Sequence, residues 1–168
     1  MINKRGIRIL VLSSIHPMQI AELIGFFSRY ENINAHSVQS FALLGEETLN
    51  KKYIPYNYTL ATALKNKPEI ILPTDTTPLI VYGNLDKNTP IEFDYKIKLT
   101  TQYSANSFDD YLANAEAIMK DIYKKMNKPS IVWYTDEDCE LELPTLHHLQ
   151  VFLKTLGIVE KQEEQDGV

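Results

Sequence analysis

The stretch from Pro90 to Thr135 constrains the chain most, because it reads as a long strand, a long helix and a second strand in succession. Ile91, Phe93, Tyr95, Ile97 and Leu99 alternate with Glu92, Asp94, Lys96 and Lys98. A strict period of two marks a strand with one buried and one wet face. Upstream, Pro78 to Gly83 is an apolar run, and Asn84 to Pro90 is rich in turn formers. Two apolar runs joined by such a loop predict an antiparallel hairpin. Downstream, Ser107 and Asp110 stand at capping-box spacing. Phe108, Tyr111, Leu112, Ala115, Ile118, Met119, Ile122, Tyr123 and Met126 then recur at helical spacing. Asn127 and Pro129 end that helix, since proline disfavours helical geometry in the residue before it. Ser130 to Tyr134 follows as a short, largely buried strand.

The rest of the chain supplies the partners for this centre. Ile7 to Ser13 is apolar enough to be a central strand. A helix is expected over Met18 to Tyr30, with Ile20, Leu23, Ile24 and Phe27 on one stripe. A strand is expected within Ile33 to Leu43. Leu44 to Lys67 reads as helix in two pieces, broken at Pro55, and Glu69 to Leu72 as a compact strand. The last helix runs from Pro144 to Leu156, with Pro144 at its first position and Gly157 as its C-terminal cap. The order predicts one α/β (α+β) domain over residues 1–159, with helices packed on a mixed sheet that contains the antiparallel hairpin. Residues 160–168 form a polar tail.

At 168 residues, 44% hydrophobic and 23% charged, the chain has the make-up of one soluble globular domain. The net charge of −5 argues against a general nucleic-acid binder, which needs clustered Lys and Arg. Cys139 is the only cysteine, so neither an intrachain disulfide nor a cysteine metal cluster can form. It lacks a His or Asn partner that would make it a nucleophile. No apolar run is long enough to span a bilayer. The expectation is a cytoplasmic protein, or a virion component, without a membrane contact.

Four groups of residues could carry function. Ser13, Ser14 and His16 follow a buried strand and precede a helix, where open α/β sheets bind ligands and where phosphate is favoured. No Walker or Rossmann glycine pattern accompanies them, and Ser14 could simply cap the helix. Asp136, Glu137, Asp138, Glu140 and Glu142 crowd one loop after a strand. Asp136 and Asp138 could hold a cation, although the spacing is not that of an EF-hand. The bland alternative is a solvated loop in which Asp136, Glu137, Asp138 and Glu140 meet a basic partner. His147 and His148 are adjacent, so on a helix they point about 100° apart and cannot chelate together. One is expected to pack and the other to face solvent.

The fourth group is Asp75, Asp94 and Lys96. An Asp before one strand and an acid-x-Lys on the next resembles the core of the PD-(D/E)XK nucleases, as does the order of elements from Tyr58 to Tyr134. That resemblance implies Asp75 and Asp94 holding Mg²⁺, Lys96 orienting a water, and Glu46 or Glu47 adding an acid. Without it, the charges of this strand are an ordinary solvated face.

The segment from Pro78 to Met126, with its hairpin, IEFDYKIKLTTQY and SFDDYLANAEAIMKDIYKKM, resembles the centre of phage tail-completion and tail-terminator proteins. That resemblance implies a non-catalytic assembly subunit without a cofactor. It forms a head-to-tail homo-oligomer through its hairpins and acidic loops. This is the primary expectation. The nuclease and a small-ligand or nucleotide binder using Ser13 to His16 are the alternatives.

Overall fold

A computed structural model describes residues 5–13, 17–39, 41–44, 52–55, 64–66, 76–87, 91–100, 117, 120–121, 123–127 and 132–161. The first strand, β1 (Arg8–Leu12), is followed by helix α1 (Pro17–Phe27) and strand β2 (Asn34–Gln39). Strands β3 (Phe41–Leu44) and β4 (Lys52–Pro55) come next, then β5 (Leu79–Asn84) and β6 (Tyr95–Leu99). A 3-10 turn at Asp136–Asp138 leads to β7 (Leu141–Leu143) and helix α2 (Leu146–Thr155).

Five strands form one sheet in the order β2-β5-β1-β6-β7, and all neighbours are parallel. β1 lies in the middle, with Leu10 opposite Val81 on one side and Lys96 on the other. Ile9, Leu10, Val11 and Leu12 have no exposed surface. Every residue of β5 is buried as well. Strands covered on both faces are typical of parallel sheets and explain the unbroken apolar runs in the sequence. A separate antiparallel ribbon pairs β3 with β4.

The expected hairpin does not form. β5 and β6 both run parallel to β1, which lies between them. The reason is burial: the apolar run of β5 has no wet face to offer, and inserting the equally apolar β1 covers an edge of both neighbours. β5 and β6 therefore stand on opposite sides of β1 rather than pairing with each other. After β5, Lys87 N–H donates to Val132 O at 2.7 Å, and Tyr134 N–H donates to Leu85 O at 3.0 Å. A mixed sheet is thus replaced by an all-parallel one.

One face of the sheet carries Ile9, Val11, Ile80, Tyr82, Ile97 and Leu99. Leu23, Phe26, Phe27 and Tyr30 from α1 and its end pack there, with Leu149 and Leu153 of α2. Phe26, rather than the expected Ile24, completes the buried stripe of α1; Ile24 is 50% exposed. Gly83 adopts φ 128° beside the Val38 carbonyl, where any side chain would collide. This lets β2 approach β5. At the end of α2, Gly157 has φ 82°, as expected of a C-terminal cap. The N-cap is Thr145, whose hydroxyl accepts from His148 N–H at 3.2 Å, so Pro144 lies one residue before the cap.

Two further expectations change. Lys52–Pro55 is a strand, not helix, and β7 arises inside the acidic run. Leu141 and Leu143 alternate with Glu142, a short period-two signal hidden among charges. The capping pair Ser107 and Asp110, most of the long helix and the strand at Glu69 to Leu72 lie outside the described residues, although helical turns occur at 120–121 and 123–125. No described helix is long and apolar enough to cross a membrane.

Candidate functional site

The C-terminal ends of β1 and β5 bring buried polar groups together. Ser13 directly follows β1, and its N–H donates to Gly83 O at 3.2 Å. Ser13, Asn84 and Asp86 have no exposed surface, and Gln19 in the first turn of α1 is 1% exposed. The register puts Leu12 beside Gly83, so Ser13 and Asn84 end neighbouring strands on the same edge. Asp86 lies just beyond, bridged through its backbone to Trp133. Its charge reaches two phenols. Burial, then Asp86, raises the Tyr123 pKa; burial, then Asp138 and Asp86, raises that of Tyr134. Of the sequence candidates here, Ser13 is described, while Ser14 and His16 lie outside the described residues. Asn84 and Asp86 were hidden in a segment read only as turn-rich. The available signal was their position directly after an apolar strand.

The acidic run lies on the lysines of β6. Lys96 and Lys98 alternate with Tyr95, Ile97 and Leu99, so they project from the sheet face opposite α1 and α2. There Lys98 Nζ meets Asp136 Oδ2 at 2.6 Å, and Lys96 Nζ meets Glu140 Oε1 at 3.2 Å. Lys87 Nζ reaches Asp138 Oδ1 at 2.7 Å and stands 5.5 Å from the Tyr134 ring centroid. Backbone bonds tie the same parts: Lys96 N–H donates to Glu140 Oε2 at 2.8 Å and Glu140 N–H to Lys96 O at 3.0 Å. Thr135 N–H donates to Asp138 Oδ2 at 2.8 Å, closing a capping box on the 3-10 turn. The charged row on β6 and the acidic loop, read as two separate solvated surfaces, are one ion-pair lattice. Asp136, Asp138 and Glu140 are engaged within the chain, and Glu137 is exposed. Among the described residues, no group of three or more His, Cys, Asp or Glu could hold a metal ion.

Asp94 is held at the opposite end of β6. Arg5 donates from Nη1 and Nη2 to its two oxygens at 2.8 and 3.0 Å, and Arg8 N–H donates at 2.8 Å. The Arg5 hydrogen bond depresses the carboxyl pKa; burial opposes it, and the Arg8 N–H adds to the depression. Asp94 and Lys96 share a cleft of about 460 Å³ with Arg5, Phe93 and Tyr134. Both charges there are committed to protein partners, and Asp75, Glu46 and Glu47 lie outside the described residues. As arranged, both Asp94 oxygens point at guanidinium hydrogens rather than at a cation site.

Cys139 is half-buried beside the acids. Burial, followed by Asp136, Asp138 and Glu140, pushes its thiol up to about 12. His147 and His148 are both exposed, which corrects the expectation that one packs. His148 Nδ1 is 2.6 Å from Thr145 Oγ1.

Comparison of the chain with protein-family models, curated proteins and solved structures finds no match.

Proposed function

We propose that this is a small-ligand-binding α/β domain that takes a phosphate-bearing molecule, such as a nucleotide, at the C-terminal edge of β1. The observation that carries this reading is the position of β1 in the middle of an all-parallel sheet. The chain leaves β1 through α1 towards β2 on one side, whereas it leaves the neighbouring β6 towards β7 on the other. Connections that depart in opposite directions open a crevice outside the strand ends, where such sheets take ligands. Ser13 and Asn84 supply hydrogen-bonding groups at that edge, and the first turn of α1 contains no acid to oppose an anion.

Titrating labelled protein with inorganic phosphate, ADP, ATP, GTP and NAD tests the reading. A binder shifts the amide signals of Leu12, Ser13, Gly83 and Asn84 saturably. Ser13→Ala weakens the response. Unshifted signals at millimolar ligand overturn it.

A second reading, a non-catalytic assembly subunit that contacts further copies of itself, draws on β2. Among the described residues, this six-residue strand is paired only with β5, leaving one hydrogen-bonding edge open. The tail-protein resemblance that first suggested it relied on a hairpin that β1 replaces. Light scattering behind size exclusion separates the two readings: a monomer at high concentration removes the second and leaves the first intact.

A further inference from the structure

A second cleft, remote from the β1 edge, lies between the ends of α1 and α2. Its volume is about 310 Å³, and Tyr30, Gln150, Lys154, Ile158, Val159 and Glu160 line it. Tyr30 is 6% exposed, yet its hydroxyl has no hydrogen-bond partner among the described residues. Leaving a buried hydroxyl unsatisfied costs about 1–3 kcal/mol unless something else completes it. Burial, then the charge of Glu160, pushes this phenol up to about 12, so at neutral pH it keeps its proton and is a donor.

The rest of the cleft is held in place. Gln150 Nε2 donates to Glu160 Oε1 at 3.0 Å, and Arg29 Nη1 lies 3.5 Å from the same oxygen. Ile158 N–H donates to Leu153 O at 2.9 Å, and Lys161 N–H to Arg29 O at 2.7 Å. Lys154, in the last turn of α2, makes no ion pair with a described residue. Val159 is 59% exposed.

We propose that this cleft binds a small apolar α-amino acid, with its carboxylate between Tyr30 and Lys154, its ammonium on Glu160 and its side chain on Ile158 and Val159. A simple anion would use Tyr30 and Lys154 but leave Glu160 Oε2, which the Gln150 and Arg29 contacts do not engage, without a partner. A simple cation would reverse the problem. A molecule carrying both charges and a short hydrocarbon uses the phenol, both charged groups and the apolar wall of the cleft, while Gln150 holds Glu160 in place. The volume is at the low end of ligand pockets, which suits a free amino acid better than a nucleotide.

The test is a calorimetric and NMR titration of the full chain with L-leucine. L-leucinamide lacks the carboxylate, 4-methylpentanoate lacks the ammonium, and glycine lacks the side chain. Leucine is expected to bind saturably and to shift the amides of Tyr30 and residues 154–160. Each analogue binds about tenfold more weakly or worse. Tyr30→Phe raises the urea midpoint of the free protein, because the orphaned hydroxyl is gone, while weakening leucine about tenfold. Lys154→Ala, at an exposed position, weakens leucine without loss of folding.

The proposal is overturned if leucine gives no saturable shift at millimolar concentration. It is also overturned if the three analogues match leucine, or if Tyr30→Phe binds leucine as the native chain does. The phosphate site proposed above would be read at Ser13 and Gly83, so either site can fail without the other.

Discussion

Lys98 Nζ on β6 lies 2.6 Å from Asp136 Oδ2 in the 3-10 turn, with the two side chains 15% and 17% exposed. The pair joins the acidic run to the sheet, and its burial separates it from the more exposed pairs around it. Removing one partner strands the other charge in a poorly hydrated place. Lys98→Met is expected to cost about 2–3 kcal/mol, below the usual range for a fully buried pair. Lys98→Met combined with Asp136→Leu should recover most of that loss. Urea denaturation of the two single variants and the double variant measures the coupling. Additive losses would remove this pair as a structural link.

The Arg5 clamp on Asp94 sets an acid limit. Its folded pKa is depressed below the usual aspartate value of about 3.9. The stability it contributes is therefore complete above about pH 4 and is lost as pH falls through the lower, folded value. Arg5 and Asp94 side chains are 38% and 35% exposed, so solvent screening holds the contribution to under about 1 kcal/mol. Asp94→Asn should be slightly less stable than the native chain at pH 7 and should converge with it as pH falls below the depressed folded value. Parallel stability curves over that range would remove the clamp as their cause.

Gly83 must remain glycine. An alanine Cβ would collide with the Val38 carbonyl oxygen, and φ 128° is unfavourable for any L side chain. Gly83→Ala is expected to cost about 3 kcal/mol or more, from strain and overpacking together. Thermal unfolding of the variant checks this. A loss under about 1 kcal/mol would mean that β2 does not approach β5 at that point.

Cys139 should be a slow thiol. With its pKa pushed up to about 12, the thiolate population at pH 8 is very small. Labelling by a disulfide reagent should run at least about a hundredfold slower in the native protein than in urea. Equal rates would place the sulfur in an open, neutral environment.

Much of the layer structure was legible before any coordinates. The apolar runs at Ile7 to Ser13 and Pro78 to Gly83 marked two buried strands, and α1 and α2 followed from their helical spacing. Gly157 could be assigned as a cap because few other residues tolerate positive φ. The sites were less legible. Ser13 was singled out for its place after a strand, whereas Asn84, Asp86 and Tyr30 carried no pattern that distinguished them. The acidic run could be read only as charge, because a carboxylate does not reveal through its neighbours which lysine it will meet.

Local sequence therefore determined most of the strands and helices, Lys52–Pro55 and β7 excepted, and most of their apolar faces. Tertiary structure alone decided which strands became neighbours. Pairing between distant segments depends on how the whole chain covers its apolar surface. Placing β1 between β5 and β6 covers more of that surface than joining β5 to β6 directly. The same choice set the strand directions, lined up Lys96 and Lys98 with the acids of residues 136–140, and left the polar ends of β1 and β5 side by side.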